Sequence, residues 1–487
     1  MKISKKILLL VSALSCAMGI NAQVNGVQAA IDQFVGNEGL RHGSVGVCVM
    51  SLDSMKMEGA ANLHQSQITA STMKTVTSAT ALKMLGKDFK FSTKVYIDGK
   101  VIKGRLDGDL IIVGGGDPTL GSRHMEAEVN FIDEVVSKLK AKGIKEIAGK
   151  IVVDESVFPE PCVPASWMIE DLGYGYGTSI HGLNFADNEL KLNLTIDKNG
   201  FDYYTDQTQS YFRVENHCDI LLEETDSMTW DGLGMRLDIE NDILHINGNV
   251  KAPYKRRMTV ANPSPDLLLR DSMNVALEAS GIKVKHNSIK KSKKIAQKLI
   301  LDYKSQELSE IVKSLLVRSD NMYTECVLRA IARNAGKQPI SSNGVDVVKE
   351  FWKSQGVDVT GLFMLDGSGL SRTNKAPVSF FAHMLAKALP MLKEQGIDFQ
   401  MLFPVAGVNG TVKNVAAKTP AAGKFAVKSG SMSHVQCYVG YYPVEEPKYT
   451  VAILINSFTC QRSQLVKLVG EMLVGIDAAL SEKEISE

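Results

Sequence analysis

Residues 89–265 read differently from both ends of the chain, and that contrast limits the folds open to it. "FSTKVYIDGKVIKGRLDGDLIIVGGGDPTL" is strand, Asp-Gly turn, strand, with turn signals throughout. "LKLNLTIDK" and "MRLDIENDILHINGNVKA" are alternating, turn-bounded strands, and one clear helix, "VNFIDEVVSKLKAKG", stands among them. Ahead of this region lie a short amphipathic helix, "VQAAIDQFVG", and two strands around a turn at Ser51–Ser54. The helix "STMKTVTSATALKML" follows, with Gly86 placed to end it. It is charge-poor until Lys83, the mark of a buried helix. Behind the region come "PDLLLRDSMNVALEASGI" and a helix pair around Ser319. The strands "KFAVKSGSM", "VQCYVGYYP" and "YTVAILINSF" and an amphipathic helix, "SQLVKLVGEMLVGIDAAL", close the chain. Helix and hairpin at one end, with strands and helix at the other, predict one α/β (α+β) domain built from both ends. It takes residues 23–88 and 266–487, with 89–265 inserted as a mostly β region that has room for two subdomains. Surface loops tolerate such insertions, because the ends of a domain lie close together.

The length of 487 residues suits about three units of this kind. With 44% hydrophobic and 22% charged residues the chain is too apolar for a disordered protein. A net charge of +1 gives no global field for nucleic acid or an acidic partner. Residues 1–22 read as a secretory signal: Lys2, Lys5 and Lys6, an apolar run from Ile7 to Ala17, then small residues before cleavage near Ala22 or Gln23. Lipid anchoring at Cys16 is disfavoured, because Ala13 stands where a lipoprotein signal usually has Leu. No later stretch reaches about 18 apolar residues without charge, so the mature protein is expected to be soluble and exported. Its six cysteines are widely spread, without a Cys-x-x-Cys pair, and read as small buried side chains with at most one bridge.

Three short motifs occur in order: Ser71-Thr72-Met73-Lys74, Ser319-Asp320-Asn321 and Lys428-Ser429-Gly430-Ser431. Ser-x-x-Lys alone decides nothing, since the chain holds it four times. Ser-Asp-Asn and Lys-[Ser/Thr]-Gly occur once each, and the ordered set is the signature of active-site serine β-lactamases and penicillin-binding proteins. The chemistry explains the residue types. A Ser hydroxyl needs an adjacent base. Positions i and i+3 share a helix face, so Lys74 can reach Ser71. Lysine serves as a base only where burial or a neighbouring cation lowers its pKa, and Lys428 is the candidate cation. The Ser71 backbone N–H, at a helix N-terminus, offers half of an oxyanion hole, with a strand residue such as Ser431 as the second donor. The Ser319 hydroxyl can relay a proton to the leaving amine. The Asn321 amide can hold a substrate peptide group or the Lys74 ammonium. Lys428 is a fixed charge for a substrate C-terminal carboxylate, with Ser429 and Ser431 beside it. This Ser/Lys hydrolase needs no metal, no cofactor and no His.

The chain resembles the class C low-molecular-mass penicillin-binding proteins, the D-alanyl-D-alanine carboxypeptidase/endopeptidase family. Lys74 and Ser319 lie 245 positions apart, and a long insertion there marks that family. "VGGGDPTL" (113–120), "SWMIEDLGYGYG" (166–177), "LNFADNEL" (183–190), "DGSGLSR" (366–372) and "PVAGVNGT" (404–411) resemble it too, so the resemblance covers nearly the whole mature chain. It implies a penicillin-binding-protein/serine β-lactamase-like transpeptidase domain. It implies Ser71 as acyl-ester nucleophile and Lys74 as proton acceptor, with Ser319 and Asn321 as the second motif and Lys428 on the substrate carboxylate. It also implies an enzyme that cleaves peptidoglycan stem peptides and their crosslinks and is acylated by β-lactams; the signal segment makes the periplasm its expected place, with peripheral envelope association as a further expectation. One departure stands out: the third motif usually reads Lys-Thr-Gly-Thr, and Lys-Ser-Gly-Ser keeps the hydroxyls but loses the methyls and their rotamer restriction.

Two other classes compete. A β-lactamase or esterase on the same fold would need fast deacylation, and no separate deacylating Glu motif stands in a short helical segment. A non-catalytic envelope peptide-binding protein would not need a nucleophile–base pair. Elsewhere the plainer readings hold: "GGGDPT" as a tight turn capped by Asp117, "KVKHNSIKKSKK" (283–294) as a solvated basic loop, His434 as structural and "DGSGLSR" as a turn. Trp167 and Asp171 are expected to line the cleft where the inserted region approaches it.

Overall fold

The two chain ends meet in one sheet. In the computed structural model, strand Ser44–Ser51 pairs antiparallel with Tyr449–Asn456 along its whole length, Ser44 opposite Asn456 and Ser51 opposite Tyr449. Its other edge carries the hairpin partner Met57–Ala61, and Val435–Tyr442 and then Ala426–Met432 complete the five strands. The structure describes residues 26–125, 127, 129–205, 211–221, 232–286 and 297–486. Residues 1–22, read as a signal, with Cys16, and positions 287–294 of the basic run lie outside the described residues.

Side-chain alternation splits this sheet between two cores. Val451, Ile453 and Ile455 face one core with Val27 and Ile31 of helix Gly26–Val35 and Leu465, Val469 and Ile476 of helix Arg462–Ser486. Ala452 and Leu454 face the other, with Met73 and Val76 of helix Met73–Leu85 and Phe380 and Phe381 of helix Val378–Lys393. Both faces are covered, so "YTVAILIN" reads as an unbroken apolar run rather than an alternating one.

Helix Met73–Leu85 is the axis of the helical layer, and every residue from Met73 to Leu82 is buried. It touches helices Leu308–Arg318, Asn321–Asn334, Ser341–Ser354 and Val378–Lys393. Its run of Thr, Ser and Ala lets those neighbours approach from every side, which accounts for the missing amphipathic stripe. Trp352 is fully buried, and its Nε1 donates to Thr80 Oγ1 of this helix at 3.0 Å.

The inserted region begins as the strand pattern predicts, with the hairpin Ser92–Ile102 and Arg105–Val113. It ends later than expected. Lys298–Lys304 pairs antiparallel with Ser92–Ile102, and Lys283–Val284 lies beside Glu146–Ile147 in the same sheet. Helix Pro265–Ala279 packs on helix Phe131–Ala141. Residues 266–286 and 297–304 therefore belong to the inserted unit, and the return to the first domain comes with helix Leu308–Arg318. Two further three-stranded sheets complete the region. One holds Glu189–Asp197 between Gly200–Thr205 and Tyr254–Ala261, the other Ile243–Lys251 between Arg213–Leu221 and Gly234–Asp238. "GGGDPT" is a tight turn here, with Asp117 Oδ1 accepting from the Thr119 N–H (2.8 Å) and hydroxyl (2.7 Å). The six described cysteines are free thiols. No helix of the described residues is long and apolar enough to cross a membrane.

Trp352→Ala opens a cavity against the axial helix and is expected to cost about 3–5 kcal/mol. Trp352→Phe keeps most of the packing, loses the bond to Thr80, and is expected to cost about half as much or less. Urea unfolding of both variants checks this.

Candidate active site

Ser71 lies in a 3-10 turn, Ala70–Thr72, that runs directly into helix Met73–Leu85. Two glycines pack closely against this turn. A side chain at Gly369 (φ +81°) would strike Ala70 O at 1.9 Å. One at Gly430 would come within 2.7 Å of Thr69 O and 2.9 Å of Ser71 N. Strand Ala426–Met432 thus presses its Lys-Ser-Gly segment directly on the turn that carries Ser71.

Lys74, one helical turn on, is fully buried. Its Nζ lies 3.1 Å from Ser71 Oγ, 2.5 Å from Asn321 Oδ1 and 2.6 Å from the Ser368 carbonyl. The Asn321 amide is fixed from its other side, where Nδ2 donates to the Tyr176 carbonyl at 2.7 Å. Both carbonyl-type oxygens can only accept. A neutral Lys74 amine therefore spends its two N–H bonds on them and aims its lone pair at the Ser71 hydroxyl. Burial lowers the Lys74 pKa to about 8, while the carboxylates of Asp366, Asp320 and Glu325 pull it back up. Lys428, the cation expected beside Lys74, is fully buried as well. Burial and then Lys74 push Lys428 well below the ordinary lysine value, and the two ammonium groups disfavour each other.

Ser319 ends helix Leu308–Arg318 in the left-handed conformation (φ 66°), with its N–H on Leu315 O. That backbone costs a non-glycine residue about 1 kcal/mol or more. Asp320 then caps the next helix, Oδ1 accepting from Tyr323 N at 3.0 Å, so Asn321 opens helix Asn321–Asn334. Lys428 Nζ donates to Ser319 Oγ at 2.9 Å and also to the Ser429 carbonyl. The Ser429 hydroxyl pairs with Thr411 Oγ1 at 2.6 Å. Ser431 is exposed at the cleft and its hydroxyl accepts from Arg462. The structure thus ties Ser71 and Asn321 to Lys74 and Ser319 to Lys428, and brings Ser71, Ser319 and Asn321 to one cleft, with Ser429 and Ser431 on the Lys428 strand. His434 stands apart, its Nδ1 3.0 Å from Phe458 O.

Beneath this group runs the loop 366–371. Buried Asp366 accepts from Gly369 N (2.7 Å), Ser371 N (2.6 Å), Asn374 Nδ2 (2.5 Å) and Trp167 Nε1 (2.8 Å). Glu325 Oε1 accepts from Gly367 N and Ser368 N, both at 2.8 Å, and burial raises its pKa. These bonds aim the Ser368 carbonyl at Lys74. Trp167 is therefore under the floor, buried, and does not line the cleft as expected; Asp171 does. The cleft has about 280 Å³ and is lined by Ser71, Ser319, Asn321 and Ser431, by Asp171 and Tyr176 from the inserted unit, and by Arg372. Tyr176 donates to Asp171 at 3.1 Å; burial raises the Asp171 carboxyl pKa, and Arg372 draws it down.

A Ser–Lys pair at a helix start, a second Ser on a helix–helix turn, and a Lys-bearing edge strand of an antiparallel sheet define a penicillin-binding-protein or serine β-lactamase-like hydrolase. The chain belongs to the D-Ala-D-Ala carboxypeptidase 3 (S13) family, whose profile matches residues 27–469. It is thus a D-Ala-D-Ala carboxypeptidase, a peptidase of the hydrolase class. Its relatives include the D-alanyl-D-alanine carboxypeptidase DacB of Haemophilus influenzae, 26% identical over 78% of this chain and 81% of that one. The D-alanyl-D-alanine carboxypeptidase of Actinomadura sp. (strain R39) is 26% identical over 91% of this chain and 83% of its own. The crystal structure of penicillin binding protein 4 (dacB) from Haemophilus influenzae shares the fold, with a TM-score of 0.76 over 92% of this chain and 99% of that one at 23% identity.

Four contributors escape the three motifs. Ser368 acts through a backbone carbonyl, which no residue type announces. Glu325 lies one helical turn beyond Asn321 on the same face, which is a signal, although its burial is not. Tyr176 and Arg372 sit in "SWMIEDLGYGYG" and "DGSGLSR", stretches that stand out in the sequence without revealing these roles.

Asp366→Asn turns an amide N–H₂ toward a set of four donors. It is expected to cost about 3–5 kcal/mol and to release the loop from Trp167. Thermal unfolding reads the stability loss, and a changed tryptophan emission reads the freed indole.

Proposed function

We propose that this chain hydrolyses the D-Ala-D-Ala bond of peptidoglycan stem peptides through an acyl-enzyme on Ser71. The observation that carries the reading is Lys74, buried and bonded to two fixed carbonyl acceptors, with its remaining valence on Ser71 Oγ. Lys74 takes the Ser71 proton as Oγ attacks the penultimate D-Ala carbonyl. The oxyanion forms against the backbone N–H groups of Ser71 and Ser431, a role supported by the close approach of Gly430 to Ser71 N. Lys428 receives the terminal carboxylate. Ser319, already bonded to Lys428, gives its hydroxyl proton to the departing D-alanine nitrogen as the C–N bond breaks, and takes in exchange the proton that Lys74 removed from Ser71, which leaves Lys74 neutral for the second half-reaction. Water then hydrolyses the Ser71 ester, with Lys74 as base in reverse order.

The same acyl-transfer geometry accepts β-lactams as slow acylating inhibitors. Support comes from the Haemophilus influenzae penicillin binding protein 4 structure complexed with a novel beta-lactam, whose fold this chain shares at a TM-score of 0.72. Endopeptidase action on crosslinks uses the same chemistry, the departing amine then belonging to a neighbouring stem side chain. We place the enzyme in the periplasm, exported by the segment 1–22 and held to the envelope at most peripherally. Detection of the chain in an osmotic-shock fraction, with an N-terminus near residue 23, tests that placement.

Ser71→Ala is expected to abolish covalent labelling by a fluorescent penicillin and release of D-alanine from purified muropeptides, with an unchanged unfolding midpoint. Labelling that survives overturns the nucleophile assignment, and rapid nitrocefin turnover by the wild type would make it a β-lactamase instead. Mass analysis of digested crosslinked dimers separates loss of one D-Ala from splitting of the crosslink.

The pH dependence follows from Lys74. With a pKa of about 8, roughly one amine in ten is neutral at pH 7. The acylation rate is expected to rise about tenfold from pH 6 to pH 7 and to level off above about pH 8. Stopped-flow penicillin acylation checks this, and a rate that is flat from pH 6 to 9 rules out Lys74 as the titrating base.

A further inference from the structure

The outer sheet of the inserted unit brings together three side chains that the peptidase chemistry does not use. Glu215 and His217 lie two residues apart on strand Arg213–Leu221, so they share a face. The parallel neighbour Ile243–Lys251 sets His245 directly opposite Glu215. His217 Nε2 and His245 Nδ1 are 3.1 Å apart, and Glu215 Oε2 lies 3.5 Å from the first and 3.4 Å from the second. The same three atoms thus form a nearly equilateral triangle. Nitrogen and oxygen ligands about 2.0–2.1 Å from a tetrahedral zinc ion are separated by about 3.3–3.4 Å, so the triangle has the size of one face of that tetrahedron. The other carboxylate oxygen, Oε1, accepts from Arg213 Nη2 at 2.6 Å, which turns Oε2 toward the two rings. His245 and Glu215 are part-buried and His217 is exposed, so the fourth corner opens to solvent.

We propose that Glu215, His217 and His245 bind a zinc-class divalent cation with water at the fourth position. Two imidazoles with one carboxylate select zinc and its transition-metal neighbours over calcium or magnesium, which take mainly oxygen ligands. The ion would clip the parallel strands Arg213–Leu221 and Ile243–Lys251. The third strand of that sheet, Gly234–Asp238, packs against Ile169–Asp171, which brings Asp171 to the cleft. The clip therefore steadies the outer support of one cleft wall and leaves the Ser71 chemistry metal-free. No linear motif announces the site, because His217 and His245 are 28 positions apart and meet only through strand register.

Equilibrium dialysis of the full chain, purified without a polyhistidine tag, against zinc chloride tests the proposal. It is expected to give one zinc per chain, unaffected by millimolar calcium. His217→Ala and His245→Ala are each expected to weaken binding at least tenfold. His217 is exposed, so its variant is expected to fold, and circular dichroism checks that. Cobalt substitution gives a second readout: intense visible bands of tetrahedral cobalt in the wild type, lost in His217→Ala. The chain holds one other described group of this kind, His124, Asp187 and Glu189, already tied to Arg123. Zinc that stays in both variants and leaves on His124→Ala overturns the proposal, as does a wild type that binds no zinc.

Discussion

A lysine ammonium carried into a protein interior without an ion-pair partner is expensive, and the catalytic half of this molecule is organised around that cost. Lys74 lowers its pKa to about 8 because burial disfavours its charge. A base with a depressed folded-state pKa opposes folding while it is protonated. The penalty is complete below about pH 8, on the order of 3 kcal/mol, and fades as pH rises toward the unfolded value near 10. Three carboxylates moderate it from a distance. Asp366 and Glu325 are occupied by loop donors and Asp320 by the Tyr323 N–H, so each lends negative potential without closing a salt bridge. Direct pairing would hold the proton on Lys74 and end its use as a base.

The inserted unit takes part in this arrangement. Its Tyr176 carbonyl orients the Asn321 amide, and its Trp167 indole supplies one of four donors to Asp366. Both bonds act one step behind Lys74: one sets which end of Asn321 faces the amine, the other fixes the loop that carries the Ser368 carbonyl. A chain with the first domain alone would leave the Asn321 amide free to turn and the loop 366–371 short of a donor. The insertion between the first and second motifs is thus a structural component of the site, and its Asp171 and Tyr176 form one wall of the cleft.

Much of this was legible because helix and strand periods, turn signals and the three motifs are local properties. The charge-poor stretch around Lys74 is the buried helix it reads as, and the two ends do share a sheet. The misplaced boundary at 266 has a physical cause. Pro265–Ala279 is helical, as its pattern says, but a helix does not state which core its apolar face meets. That was decided by Lys298–Lys304 pairing with Ser92–Ile102, across some 200 residues. Helices Ser341–Ser354 and Val378–Lys393 carry no motif that singles them out in the sequence, although they wall in Met73–Leu85. The sequence neighbourhood of Trp167 points it to the cleft, while its indole N–H donates to the buried Asp366 carboxylate. A buried indole donor needs an acceptor, and that need moved the side chain from wall to floor.

The two buried lysines give the proposed reaction an internal order. Lys428 is disfavoured as a cation by burial and by Lys74, so the pair of lysines resists two full charges. A substrate carboxylate at Lys428 reverses that balance, because an anion in a site of low polarity strongly favours the ammonium beside it. With the charge fixed at Lys428, the repulsion between the lysines bears on Lys74 and favours its neutral form. The ligand that needs to be cut thereby increases the fraction of base able to cut it. A peptide without a terminal carboxylate occupies the cleft without this effect, so discrimination enters at the proton transfer as well as at binding. Lys-Ser-Gly-Ser preserves the coupling: Lys428 is held by the Ser319 hydroxyl and the Ser429 carbonyl, and Ser429 in turn by Thr411, none of which depends on the methyl groups that a Thr would bring.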